Sequence, residues 1–265
     1  MEKFQCGNCS RCCLNLRSPD AGYDEKRKRG LKEGVYYLIK NRENSIKLFE
    51  WEKRSLESTA EKNGLEMRTK PYFVLLDKDS KTFFSPLWIL DHDQCPFLAK
   101  DERCACKIYK ERPLICRAFP VLSSGLSNSV ARVSSLCPNS VTIDATGLKS
   151  LRKMVEFYDE SFFYAVKAES VNAFLRRIVR EMESEGIISL TKGLSVDSAL
   201  RKIEKIEYNE VFKFGTEKGF LNRDEIERFL ANVYLIDDVR VCVNEILRGK
   251  IIIDQFPFPH QCLTI

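Results

Sequence analysis

Cys6-Gly7-Asn8-Cys9-Ser10-Arg11-Cys12-Cys13 crowds four thiols into eight consecutive positions. Cys6, Cys9 and Cys12 stand at a strict three-residue step. In a loop, that step turns successive side chains toward a common centre. Gly7 and the polar spacers let the backbone wrap closely and offer N–H groups to sulfur. Thiolates gathered this way repel one another, so an enclosed cation stabilises them. The same step opens the bacterial ferredoxin run, whose last cysteine is followed by proline. Here that last member is missing locally and must come from farther along the chain. Cys95-Pro96, Cys116 and Cys137-Pro138 are the candidates.

A chain of 265 residues holds one large domain or two modest ones. The net charge of +5 permits contact with nucleic acid or acidic partners without arguing for it. No apolar signal segment precedes Cys6, and no apolar run approaches the roughly 18 residues a membrane span needs. A cytoplasmic location without membrane association is therefore expected. Eleven cysteines in a reducing compartment are not expected to pair as disulfides, and an odd total fits pairing poorly. The local spacing is a ligand spacing, so metal or cluster binding is the expectation.

Only Cys242 and Cys262 lie beyond residue 140. That asymmetry sets the expected organisation, an α+β chain in two parts. Residues 1–145 form a small, irregular, cysteine-rich metal-binding domain with a β-hairpin, and residues 146–265 form an all-helical region. Residues 24–63 read as helical: the run Lys26-Arg27-Lys28-Arg29 is a solvated face, and Leu31, Val35, Leu38 and Ile39 follow at helical spacing. A second helical piece gathers Ile46, Phe49 and Leu56 and stops at Asn63-Gly64. Tyr72-Phe73-Val74-Leu75-Leu76 and Thr82-Phe83-Phe84 flank a polar turn and predict a hairpin. Another strand is expected at 129–134. Residues 91–128, dense in Cys and Pro, read as irregular loops that a bound metal centre would hold.

From residue 148 the pattern is helical. One stripe is Leu151, Val155, Tyr158, Phe162 and Val166; the next is Val171, Phe174, Leu175, Ile178 and Met182, stopped near Gly186. A shorter helix is expected at 195–206. Asn222 with Glu225 starts another, running to residue 247, and residues 251–260 form an extended apolar tail.

The second cysteine block reads Cys95-Pro96-Phe97-Leu98, Cys106-Lys107-Ile108-Tyr109, Arg112-Pro113, Cys116-Arg117, Phe119-Pro120 and Cys137. With the opening run, it resembles the YkgJ-type CxxCxxCC cysteine-cluster family, described as a zinc- or iron-chelating domain. The flagellin lysine-N-methylases are usually grouped as its distant relatives. The resemblance spans residues 6–137. It implies that Cys6, Cys9, Cys12, Cys13, Cys95, Cys106, Cys116 and Cys137 bind the metal or cluster. Cys104 is extra to the pattern, which leaves open whether Cys104 or Cys106 is the ligand.

Adjacent side chains diverge, so Cys12 and Cys13 seldom serve one four-ligand centre. Two centres of four ligands satisfy the count, as does one cubane with several free or hydrogen-bonding thiols. Sulfur-only tetrahedral ligation suits zinc and iron–sulfur clusters alike. The ferredoxin-like opening and the resemblance favour [4Fe–4S] over zinc. Zinc ribbons use two Cys-x-x-Cys pairs, and the second block has none.

Arg112 and Arg117 have two readings: they offset the charge of a thiolate-bound cluster, or they pair with surface carboxylates. Tyr109 either covers the centre or belongs to the core. His92, between Asp91 and Asp93, and His260 read as solvated histidines rather than ligands. Cys242 reads as a small buried apolar residue and Cys262 as a tail cysteine. No Walker-type phosphate loop, glycine-rich nucleotide fingerprint or radical S-adenosylmethionine spacing occurs. No catalytic residue is identified.

Three functions follow. The first is an iron–sulfur protein that transfers electrons or senses redox state, with a protein partner docked by the helical region. The second is a zinc-stapled module binding protein or RNA, supported by the Lys26–Arg29 run and the mild positive charge. The third is a protein-lysine N-methylase-like enzyme, resting on the resemblance alone.

Overall fold

The computed structural model describes residues 3–7, 9–17, 23–37, 45–99, 106–123, 132–143, 148–194, 198 and 208–235. Its helices are α1 (Tyr23–Glu33), α2 (Glu50–Lys62), α3 (Leu114–Ala118), α4 (Leu148–Ser184), α5 (Val211–Glu217) and α6 (Arg223–Leu235). Its strands are β1 (Val35–Tyr36), β2 (Lys47–Leu48), β3 (Thr69–Asp77), β4 (Thr82–Leu90), β5 (Val121–Leu122), β6 (Arg132–Val133) and β7 (Tyr208–Glu210). The chain is α+β, with a helix-rich C-terminal part. The fold divides into two compact units, each assembled from separated stretches: residues 1–12, 109–177 and 222–265 in the first, 13–108 and 178–221 in the second. No helix among the described residues is long and apolar enough to cross a membrane.

The first unit is organised by the N-terminal part of α4. Leu151, Met154, Tyr158, Phe162, Ala165 and Val166 recur at helical spacing and bury one face against Ala118 and Val121. Phe4, Val133 and Ile143 pack at the margin. The two apolar stripes expected as successive helices form one element, broken at Asp159, where φ is 32° and ψ is −97°. At that break the Phe157 carbonyl accepts the Phe4 N–H at 2.7 Å. Phe174 stacks on Phe229 of α6, ring centroids 3.9 Å apart. Asn222 caps α6 through its side-chain oxygen, which accepts the Asp224 N–H at 2.9 Å.

The second unit is built on the β3–β4 hairpin. The antiparallel pair runs from Thr69 opposite Leu90 to Asp77 opposite Thr82, with register shifts between Pro71 and Leu75. Pro71 cannot donate to the ladder, which is consistent with an irregularity there. β1 lies outside β3, while β2 and the parallel strand β7 both pair with β4. Tyr36, Val74, Leu76 and Phe83 form a buried cluster. Asp77 closes the turn. Burial alone would raise its pKa, but hydrogen bonds from the Ser189 N–H, the Ser80 hydroxyl and N–H, and the Asp79 N–H together lower it.

Two expectations need correction. The helix expected through Val35 stops at Glu33. Gly34 takes φ of 78°, and Val35 and Tyr36 instead pair with Leu75 and Val74. A left-handed glycine ends a helix readily, whatever apolar spacing follows it. Leu38 and Ile39 lie outside the described residues. The piece expected from Ile46 begins only at Glu50, because Lys47 and Leu48 form β2. Its stop at Asn63-Gly64 is as expected, with φ of 63° at Gly64. Within 91–128 the structure forms α3, β5 and a short turn of 3-10 helix at Tyr109–Glu111. The helix expected at 195–206, the continuation to 247 and the tail lie outside the described residues.

Glu50 opens α2 and is buried, yet its carboxylate accepts the Phe212 N–H at 3.2 Å at the start of α5. Burial pushes its pKa from an ordinary 4.5 up to about 7, and nearby Glu210 adds to the rise against the opposing backbone bonds and Arg54. The folded chain therefore holds this proton more tightly than the unfolded chain does. Stability falls as pH rises from about 4.5 to about 7 and stays lowered above it. At about 1.4 kcal/mol per unit, the full effect is about 3 kcal/mol. Glu50→Gln is expected to flatten this dependence and to stabilise the protein at pH 8, as read from urea unfolding at several pH values.

Candidate metal centre

In the first unit the opening loop is pinned just ahead of its thiols. Phe4 bonds to Phe157, its ring lies 5.4 Å from that of Tyr158, and Lys3 meets Asp159 at 2.5 Å. Ser10 is buried with φ of 61°, turning the chain into the 3-10 turn Arg11–Cys13. Cys6 and Cys9 are exposed and Cys12 is half-buried. Gly7 lies under Asn139: a Cβ built there would sit 2.8 Å from the Asn139 Nδ2. The residues just after Cys137 thus approach the loop where it has no side chain.

Cys137 is buried in a turn closed by its own neighbours. Its N–H donates to the Ser134 carbonyl at 3.4 Å, and its carbonyl accepts the Ser140 N–H at 3.0 Å and hydroxyl at 2.7 Å. Just beyond, the Tyr158 hydroxyl accepts the Val141 N–H at 2.8 Å and donates to the Val141 carbonyl at 2.7 Å. Burial pushes the Cys137 thiol pKa up; the Asn139 N–H, which donates to the sulfur, opposes this, and the charges of Cys9, Cys6 and Cys12 push it up further. The structure therefore brings the three-step cysteines and the Cys137-Pro138 pair into one electrostatic neighbourhood.

In the second unit backbone hydrogen bonds link the segments that carry Cys13, Cys95 and Cys106. The Cys95 N–H donates to the Cys13 carbonyl at 2.8 Å, and the Leu16 N–H to the Asp93 carbonyl at 2.9 Å. Cys95 then opens a turn in which its carbonyl accepts the Leu98 N–H at 3.1 Å, and Leu98 pairs with Cys106 across an antiparallel bridge. Between them Phe97 is buried, and its carbonyl accepts the Lys107 N–H at 2.9 Å. The Cys-Pro-Phe-Leu string thus supplies a core plug and a bridge partner as well as a thiol. Cys104, Cys242, Cys262 and His260 lie outside the described residues. Cys116 lies half-buried on α3, in the first unit.

The basic residues of the second block do not pair with surface carboxylates among the described residues. Arg117 donates to the carbonyls of Arg112 and Lys110 and to the Tyr164 hydroxyl. Arg112 lies 3.7 Å over the ring of Tyr109 and donates to its carbonyl. Among the described residues neither arginine meets a carboxylate, and both brace the 109–117 loop. Tyr109 is exposed, so it is not part of the core. His92 Nε2 accepts the Arg68 N–H at 2.8 Å, and burial, then Arg68, lower its pKa. That nitrogen is engaged within the fold.

Among the described residues no cysteine is joined in a disulfide. Among the described residues, no three His, Cys, Asp or Glu side chains are drawn together as a finished coordination sphere. The thiols around Cys137 are neighbours by their electrostatic effect, rather than ligands already at bonding distance. Their chemistry fits a soft, sulfur-binding metal.

The arrangement defines a cysteine-rich metal-binding protein. A family model described as "CxxCxxCC: Putative zinc- or iron-chelating domain" matches residues 5–138, about half of the chain, and the chain belongs to that family. No curated protein and no solved structure matches it significantly.

Sequence reading alone missed Tyr158 and Asn139. Tyr158 sits in the apolar stripe with nothing to mark its hydroxyl as the brace of residue 141. Asn139 follows Cys137-Pro138 closely, the one signal that pointed to it. Tyr158→Phe removes the hydroxyl that pairs with both backbone groups of exposed Val141 and is expected to cost about 0.5–1.5 kcal/mol, measured by urea unfolding. In the reduced, metal-free chain, iodoacetamide is expected to modify exposed Cys6 and Cys9 well before buried Cys137, whose raised pKa also lowers its thiolate fraction. Mass spectrometry of the digested peptides checks the order.

Proposed function

We propose that the chain is a cysteine-ligated iron–sulfur protein, with a [4Fe–4S] cluster held by Cys6, Cys9, Cys12 and Cys137, that transfers electrons or senses redox state with a protein partner. The observation that supports it most is the approach of the three-step loop to a remote cysteine followed by proline, since together they reproduce the ferredoxin ligand pattern. Cys13, Cys95 and Cys106, on segments linked by backbone hydrogen bonds, are the core of a second sulfur set, and Cys116 is the remaining family cysteine. On this reading Cys12 and Cys13, whose side chains diverge, serve different sets.

A thiolate-bound cubane supplies one-electron chemistry. The chain's own residues set its surroundings. Buried Cys137 offers a sulfur shielded from water, and the Asn139 N–H directed at that sulfur favours its charged form. Exposed Cys6 and Cys9 give the opposite side access to solvent and to a partner. Solvent exposure and hydrogen bonds to sulfur are two of the levers that tune such a centre's potential.

Anaerobic purification with metal analysis and an absorption spectrum tests the reading. The expected result is a brown protein containing iron and acid-labile sulfide, with the broad visible absorption largely lost in Cys137→Ser. A colourless anaerobic protein carrying stoichiometric zinc overturns the iron–sulfur assignment.

A further inference from the structure

We infer that Arg17 and Asp91 are positioning residues for the second thiol set: the buried Asp91 carboxylate, through Arg17, holds the segment bearing Cys13 against the segment bearing Cys95. This rests on the proposed reading that these cysteines are ligands. Asp91 follows directly on β4 and is buried. Its carboxylate meets Arg17 at 3.2 Å and Lys70 at 2.6 Å, and its carbonyl accepts a second bond from Arg17 at 2.9 Å. Arg17 also lies 3.7 Å from Asp93. On its other side the segment is fixed to the start of β3. The Asp91 N–H donates to the Arg68 carbonyl at 2.8 Å, and His92 accepts the Arg68 N–H.

The consequence reaches the thiols through the backbone. Residues 13–16 run beside 93–95, joined by the backbone hydrogen bonds from Cys95 to Cys13 and from Leu16 to Asp93. So short a pairing is marginal by itself. Arg17 binds immediately after it in one segment and Asp91 immediately before it in the other, so the ion pair clamps its end. Lys70 of β3 neutralises the same carboxylate, and Arg17 is the cation that ties it to the segment following Cys13. The Cys95 N–H donates to the Cys13 carbonyl at 2.8 Å, so the backbones of the two residues are in contact. The clamp therefore sets Cys13 and Cys95, distant in sequence, as neighbours before any metal arrives. Preorganised ligands lose less freedom on binding than ligands that must first be collected.

The test needs no metal. The reduced, metal-free, full-length chain is treated with the thiol oxidant diamide, which takes two electrons and two protons from a pair of thiols, and the disulfides are mapped by mass spectrometry. The wild type is expected to form the Cys13–Cys95 link. Arg17→Met and Asp91→Asn are expected to form it at least about tenfold more slowly, as misplaced reacting groups do. Arg17→Lys, which keeps the charge and guards against a misfolded variant, is expected to fall between. The alkylation order of Cys6, Cys9 and Cys137 should be unchanged in all three, a readout that general loss of fold would move. A wild type without the link, variants that match the wild-type rate, or a simultaneous collapse of the alkylation order would each overturn the positioning role. A zinc result in the metal analysis bears on the iron–sulfur assignment alone and leaves this outcome readable.

Discussion

Sulfur atoms that will carry negative charge resist being gathered, so the chain must hold them in place by other means. In the first unit that hold converges on Tyr158. Its ring receives Phe4, just ahead of Cys6, and its hydroxyl binds both backbone groups of Val141, just after Cys137. One buried side chain on α4 thus anchors the approach to the three-step cysteines and the exit from the remote one. Apolar packing and two hydrogen bonds supply the stabilisation, and neither is weakened when the thiols ionise.

In the second unit the main chain links the cysteine-bearing segments: the Cys95 N–H donates to the Cys13 carbonyl, and Leu98 pairs with Cys106. Three buried carboxylates there show how environment sets their roles. Asp77 accepts four donors, which outweigh the cost of burial and keep it ionised as the closure of the β3–β4 turn. Asp91 is met by two cations and joins segments from different parts of the sequence. Glu50 accepts only backbone N–H groups at the start of α5, with Arg54 at 3.8 Å and Glu210 nearby, so burial dominates and the proton is retained to near neutral pH. The number and charge of the donors, rather than depth alone, separate the three.

Much of the secondary structure was legible because it rests on local rules. The alternating apolar runs around a polar turn specified the hairpin, and Asn63-Gly64 specified the end of α2. The stripe through Leu151, Tyr158 and Phe162 specified the core face of α4. Legibility failed where a local stop overrode periodicity. Gly34 in the left-handed region ended α1 and released Val35 and Tyr36 to pair with β3, although their spacing continued the helical pattern. Spacing also gave no sign of the contacts that Arg112 and Arg117 make. Their planar guanidinium groups cap carbonyls and lie against tyrosine rings, contacts that depend on loop geometry no spacing rule encodes.

By itself, the sequence determined the chemistry: eight thiols in two ordered blocks, the family they belong to, and a step of three that turns side chains inward. These are properties of residue type and short spacing, which survive without coordinates. Only tertiary structure shows which distant cysteine lies near the opening loop: Cys95, Cys116 and Cys137 are equivalent candidates by spacing, and Cys137 feels the charges of Cys6, Cys9 and Cys12. Tyr158 holds the residues flanking Cys6 and Cys137, and the end of β4 brings Asp91 to Arg17. Long-range partners are fixed by packing, and packing is a property of the whole chain.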